Sequence, residues 1–240
     1  MRKSLTAVAV LSMLALVPTL SSAGASTPTT LTGLSAQQIM STSIKAAIAK
    51  KSATTVVTTS VLSIKVKEVT ISGPHSGTGS EVIDGHKGEV IYLNGVVYAK
   101  FDAYHVNFNY GVKDNAVANK WISITKGRKF YGSLSSGITF PSVLQEMQPV
   151  GTLSASAPKI INGVSAIGIT GNPSPSSGTT TGSETMYVAT TAPFLPVEVL
   201  IKAVSSGITV VLTVIPKNWS VPVSVTAPKV FTSISKTKLP

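Results

Sequence analysis

GEVIYLNGVVYAKF, residues 88–101, carries Asn94-Gly95 at its centre between two alternating runs of Val, Ile and Tyr. Asn-Gly accepts the positive φ that a two-residue hairpin turn needs at both central positions. The turn sets a register. Leu93 faces Val96, Tyr92 faces Val97, Ile91 faces Tyr98, Val90 faces Ala99 and Glu89 faces Lys100. Successive strand side chains point to opposite faces, so Val90, Tyr92, Val97, Ala99 and Phe101 share one. That face is uncharged and reads as the core side. Glu89 opposite Lys100 marks the solvent side.

Working outward, the N-terminal side holds a helix over about 35–51. Ser35 and Gln38 form a capping box, and Ile39, Met40, Ile44, Ala47 and Ile48 recur at helical spacing. Residues 54–60, 62–71 and 80–83 read as strands, with 73–79 as a turn or loop. After the hairpin, 103–120 lose the alternation and suggest a short helix or two. Residues 121–125 read as a short strand, 127–138 as irregular, and 140–147 as a short helix with Pro141 near its start. Strand texture returns after Gly151. Asn162-Gly163 marks a second hairpin inside 159–170, and 172–184 is a Gly, Ser, Thr and Pro loop. Residues 186–190, 197–203, 208–215 and 221–225 complete the strands, and 229–240 form a basic tail. This order predicts one antiparallel sheet with helices gathered on one face.

Arg2 and Lys3, the apolar stretch 5–20 and the small residues Ala23-Gly24-Ala25 read as an export signal, residues 1–25, with cleavage expected after Ala25, then after Ala23, and an uncleaved anchor as the last alternative. Residues 26–34 read as a linker, 35–230 as one domain and 231–240 as a basic tail. The chain has no cysteine, so neither a disulfide nor a lipidated cysteine is available. The expected location is outside the cytoplasmic membrane, secreted or in the cell envelope, without a lipid anchor. The net charge is +11. Beyond the signal the only arginine is Arg128 and the lysines are scattered, which argues against nucleic acid. A basic exterior suits an anionic membrane surface or wall polymer.

Catalytic patterns are sparse. His75, Asp84 and His86 are metal-donor types in Gly-containing turns, which is also ordinary content for a solvated turn. Ser123-x-x-Lys126 and Ser233-x-x-Lys236 match one β-lactamase motif without its companions, and no G-x-S-x-G elbow occurs. The nine acids show no close pair in sequence of the kind glycoside chemistry needs. No Gly-rich phosphate loop precedes a helix. The expectation is a protein that is not an enzyme and has no cofactor or metal.

Several segments together carry a resemblance. They are GEVIYLNGVVYAK (88–100), ANKWISI (118–124), ITFPSVLQEM (138–147), VGTLS (150–154), INGVSAIGITG (161–171), Met186-Tyr187-Val188-Ala189-Thr190, APFLPVEV (192–199) and VTAP (225–228). In order and spacing they resemble the actinobacterial lipid-carrier lipoproteins of the LppX and LprG type, related to the LolA and LolB fold. The resemblance spans about 35–230. It implies an α+β fold, a strongly curved antiparallel β-sheet or half-barrel with helices packed on its concave face. It also implies an apolar cavity between sheet and helices. The implied lining is Met40, Ile44, Ile48, Val90, Tyr92, Val97, Phe101, Phe130, Tyr131, Leu134, Leu144 and Met147. Those lipoproteins carry a lipidated cysteine after the signal, and this chain lacks one.

The implied function is a non-enzymatic binder or carrier of lipid or another long apolar ligand. Burying a dozen methylenes at ~0.8 kcal/mol each offers roughly 10 kcal/mol before ordering costs, with no charged anchor. Two alternatives stand beside it: an envelope component with a closed, ligand-free core, and an unrecognised hydrolase on the same scaffold.

Overall fold

The computed structural model describes residues 30–110, 117–128, 130–174, 181–205 and 208–233. Residues 1–25, expected from the sequence to be an export signal, lie outside them. No described helix is long and apolar enough to cross a membrane.

Helix α1 (Ala36–Lys50) opens the fold. Ser35 Oγ accepts from the Gln38 backbone N–H while the Gln38 side chain accepts from the Ser35 N–H. Strands β1 (Ala53–Val61), β2 (Ile64–Ser72), β3 (Ser76–Ile83), β4 (His86–Leu93) and β5 (Val96–Phe101) then run as a meander. Three short helices interrupt the sheet: α2 (Ala103–Tyr110), α3 (Tyr131–Ser135) and α4 (Phe140–Glu146), with β6 (Ile122–Thr125) after α2. Strands β7 (Val150–Ala155), β8 (Lys159–Ile161), β9 (Val164–Asn172), β10 (Thr181–Ala189), β11 (Pro196–Ser205) and β12 (Ile208–Lys217) follow, and β13 (Thr232–Ser233) ends the described chain.

All belong to one sheet ordered β13-β6-β5-β4-β3-β2-β1-β12-β11-β10-β9-β7, with β8 on β9. Strand β1 pairs with β12, so the two runs of strands join in the middle. The pairing is antiparallel except for β13 on β6. The sheet does not close on itself. The fold is thus α+β, a curved open sheet with its helices on the inner side.

The β4–β5 register is the one Asn94-Gly95 sets, from Leu93↔Val96 to Glu89↔Lys100. The Asn162-Gly163 hairpin also forms, between β8 and β9.

Five sequence expectations differ, the first being that residues 127–138, read as irregular, contain helix α3. Residues 73–79 are not all loop, because β3 begins at Ser76. Its glycines hid the strand, and a packing contact explains one of them: a Cβ on Gly77 would overlap the Ile138 carbonyl that leads into α4. The loop 172–184 is shorter than read, since β10 begins at Thr181; residues 175–180 lie outside the described part. Residues 221–225 form no strand, and Pro222 lacks the donor a ladder requires. Ser52 instead holds this segment, its Oγ donating to the Val221 carbonyl at 2.6 Å. Finally, Leu31, read as linker, is buried in the core.

That core has two parts. One lies beneath α1 and α4 and joins Ile39, Met40, Phe140, Leu144 and Met147 to Ile169, Met186, Val188, Val199 and Ile201 of the sheet. The other lies at β5–β6, where Val97, Ala99, Phe101, Ile122 and Ile124 pack with Val106 of α2, and with Tyr131 and Leu134 of α3 at its margin.

Candidate functional site

The pairing aligns inner-face residues in rows across the sheet. One row runs Met186, Val199, Val214, Val57, Glu68, Glu81, Gly88, Phe101. Met186 and Val199 are buried at one end, and Gly88 and Phe101 at the other. Val214, Val57, Glu68 and Glu81 between them are half-buried. The next row repeats the pattern, with Glu184 and Ile201 buried, Leu212, Thr59 and Val66 half-buried, and Ile83 buried again. A strip of inner face over β12, β1, β2 and β3 therefore lies between two covered ends. An open hollow of about 620 Å³ at the hairpin ends of β1–β3 is lined by Thr59 and Val66 together with Thr58, Ser60, Lys65, Lys67 and Val82 of the opposite face.

The implied lining residues divide between the two clusters. Met40, Ile44, Leu144 and Met147 belong to the α1–α4 cluster or its margin. Val90, Tyr92, Val97, Phe101, Tyr131 and Leu134 belong to the β5–β6 cluster or its margin. Phe130 joins Phe101 and Leu134 around a void of only about 10 Å³. Ile48 does not face inward; it is 58% exposed. The buried stripe of α1 passes through Ile39, Met40, Ser43 and Ala47, and Ile48 lies one position past its edge. Of the twelve, Val90 and Tyr92 remain half-buried on the sheet itself, next to the strip.

Acids give this face its chemistry. Glu68 and Glu81 are direct cross-strand partners on it. Burial pushes Glu68 up to about 7; the hydrogen bond from Thr70 (2.9 Å) opposes this and the Glu81 charge adds to it. Burial raises Glu146 to about 7, helped by the charges of Glu68 and Glu184. Burial also raises Glu184 to about 7, against a 2.8 Å hydrogen bond donated by the Ser174 backbone N–H. Glu184 Oε1 is buried without a partner, as are Thr55 Oγ1 and Ser43 Oγ.

The histidines separate. His86 Nδ1 sits 2.8 Å from Asp102 and its ring stacks on Tyr104. His105 is fully buried, with Nδ1 3.2 Å from Asp102 and Nε2 3.5 Å from Glu81. Burial lowers its pKa, but Glu81 and Asp102 outweigh that and raise it. Asp84 accepts instead from the Lys65 backbone N–H. No three metal-donor side chains converge among the described residues, so His75, Asp84 and His86 are not brought together. Tyr131 is pushed up to about 12 by burial and by its hydrogen bond with Tyr92.

The sequence reading missed the acids because they pair across turns. The Ile83↔His86 turn and the Val66↔Ile83 pairing place Glu68 beside Glu81.

No protein-family profile matches the chain, and no curated protein matches it. Solved structures do. LprF from Mycobacterium bovis superposes with a TM-score of 0.50 at 17% identity, over 80% of this chain and 96% of that one. The Mycobacterium tuberculosis lipoprotein LppX gives the same score and identity, over 80% of this chain and 98% of that one. The chain has the LppX-type fold. The LppX-type scaffold here keeps the open sheet and its inner helices, and it places an acidic strip between two packed apolar ends.

Proposed function

We propose that this protein is an exported, non-enzymatic binder or carrier of a lipid or another long apolar ligand. The ligand would lie along the inner strip of Val57, Val66, Leu212 and Val214. The half-burial of that strip is the observation that carries the reading. Leu212 and Val214 pack at the margin of the α1–α4 core, while Val57 and Val66 beyond them are less covered than Val199 and Ile201 in the same rows. An apolar chain laid there removes apolar surface from water on both sides, at roughly 25 cal/mol per Å².

The mechanism would be shielding: a chain leaves a bilayer, is covered by sheet and helices, and is passed on without chemistry. The basic exterior favours encounter with anionic membrane surfaces. Without a cysteine after the signal, the carrier would diffuse free of a lipid anchor.

One observation favours the alternative of a structural envelope component with a closed core. Most of the anticipated lining is packed, and the void beside Phe130 is far too small for a chain. Native mass spectrometry of the full chain, expressed in a lipid-bearing host, separates the two. Co-purified lipid that leaves on activation supports the carrier. A clean apo mass, together with no uptake of a long-chain alcohol, supports the closed component.

A further inference from the structure

The outer face of the sheet concentrates basic charge at one end. Two neighbouring rows cross it there. One runs Lys202, Val211, Ser60, Lys65, and the next runs Thr213, Thr58, Lys67, Val82, Lys87. Hydrogen-bonded strands lie ~4.8 Å apart, so the register itself sets these side chains next to one another. Lys65, Lys67, Lys87 and Lys202 are all exposed, and none forms an ion pair with a described residue. Neither row holds an acid. Asp84, at the adjoining β3–β4 turn, accepts from the Lys65 backbone N–H.

The same end carries bare apolar side chains. Leu62, at the tip of the β1–β2 hairpin, is 61% exposed. Val204 and Val211, at the end of the β11–β12 hairpin, are 41% and 39% exposed. Val211 lies directly between Lys202 and Ser60, and Ser60 pairs with Lys65, so apolar and basic groups interleave. An exposed apolar patch rimmed by polar groups marks an interaction surface. The opposite end of the sheet also exposes an apolar residue, Ile160 on the β8–β9 hairpin. There, however, Lys159 is engaged with Tyr187, and Glu198 brings an acid that accepts from Asn162.

We infer that the hairpin ends of β1–β2 and β11–β12 dock this protein on an anionic lipid bilayer, with Leu62, Val204 and Val211 entering the interface and Lys65, Lys67, Lys87 and Lys202 meeting headgroup phosphates. This inference deepens the proposed carrier function, on which it rests for a ligand to move, by assigning its docking face. A bilayer matches both halves of the patch. Lysines gain from the negative surface potential within a Debye length, and apolar side chains gain by leaving water. An acidic polymer would meet the lysines and leave Leu62 in water. A second copy of this chain, meeting the patch about a two-fold axis, would set lysines against lysines. The inner strip also ends at this edge, where Thr59 and Val66 pair close to the last pair of the hairpin, Val61↔Ile64. A chain drawn from the bilayer therefore has a short path to it.

The test is co-sedimentation of the full chain with vesicles of phosphatidylcholine, alone or mixed with phosphatidylglycerol. Every variant keeps the same N-terminal apolar stretch, so differences between variants report on the patch. The mixed vesicles should bind the wild type more tightly than phosphatidylcholine alone. Lys65→Gln with Lys67→Gln should weaken binding to the mixed vesicles about thirtyfold, and Leu62→Ser about tenfold. Ile160→Ser, at the opposite end, should leave it unchanged. All four positions are exposed, and an unchanged Tm shows that each variant is folded. Equal binding to both vesicle types overturns the inference, and so does a double lysine variant that binds like the wild type. Loss with the lysine variant but none with Leu62→Ser also overturns it, because the patch is then a site for an acidic polymer. Uptake of dodecanol is measured on the same samples. If the alcohol is taken up but the patch variants keep full vesicle binding, the docking face falls and the carrier stands. If vesicle binding follows the patch but no alcohol is taken up, the carrier falls and the docking face stands.

Discussion

The end of the inner face beneath α1 and α4 and the strip beside it are made from the same strands, yet they differ in kind. Along one row Met186 and Val199 are sealed, while Val214, Val57 and Glu68 are half open. Strand chemistry does not cause the difference, since Val199, Val214 and Val57 are the same residue. The helices do. Helix α1 packs against β7, β9, β10 and β11, and α2 and α3 sit over β4 and β5. Between these two covers Val57, Thr59 and Val66 on β1 and β2 are left only half covered. Apolar residues in a strand are therefore not evidence of a filled core until the element covering them is known.

The comparison breaks most visibly under truncation. Met186→Ala removes a fully buried side chain from the α1–α4 cluster and should cost about 2–5 kcal/mol by chemical denaturation. Val57→Ala, in the same row but half open, should cost only about 1 kcal/mol. Equal losses would mean that the strip is covered.

Gly77→Ala tests the boundary between the two regions. The new Cβ would run into the Ile138 carbonyl, just where the Phe140 N–H donates to the Gly73 carbonyl at 2.9 Å. The expected loss is about 3 kcal/mol. Gly85, at a hairpin tip, has open space around its Cβ position, so substitution there is penalised only by its positive φ.

The acids make the comparison sensitive to pH. Glu68, Glu146 and Glu184 titrate near 7 when folded, against an ordinary value of 4.5. The stability that goes with their protonated forms is complete below about pH 4.5 and is lost as pH rises through 7. His105, whose pKa is also raised, acts in the same direction. Asp102 is lowered: burial alone would raise it, but hydrogen bonds from the His105 backbone and from the His86 and His105 rings prevail. Its stabilisation is lost only as pH falls below the ordinary 3.8. Stability should therefore decline from pH 5 to pH 8. Glu146→Gln should flatten that slope. A rise in stability over the same range would contradict the charge assignment of the strip.

The smallest effect is local. Ser35→Ala removes the capping box of α1 and should cost about 1 kcal/mol without changing the strip.

Much of this fold was readable in the sequence because its signals are local. Asn94-Gly95 and Asn162-Gly163 fix their hairpins by turn geometry, and Ser35 with Gln38 marks a helix start. What was not readable depends on contacts between distant segments. Gly77 looks like loop until Ile138 is known to press on it. Ile48 looks inward until the helix docks on Ser43 and Ala47. The four glutamates Glu68, Glu81, Glu146 and Glu184 lie on β2, β3, α4 and β10, far apart in the chain, and gave no motif to find.

The absence of native cysteine permits a direct measurement. Single-cysteine variants Val57→Cys and Val66→Cys report on the strip, and Ile169→Cys and Val199→Cys on the covered end. Each is reacted with a small maleimide in the folded protein, with and without dodecanol. The strip cysteines should react readily and be shielded by the alcohol, while Ile169→Cys and Val199→Cys stay unreactive throughout. Strip cysteines that resist labelling like the buried pair, or that label equally well with the alcohol present, would contradict a ligand site on the inner face.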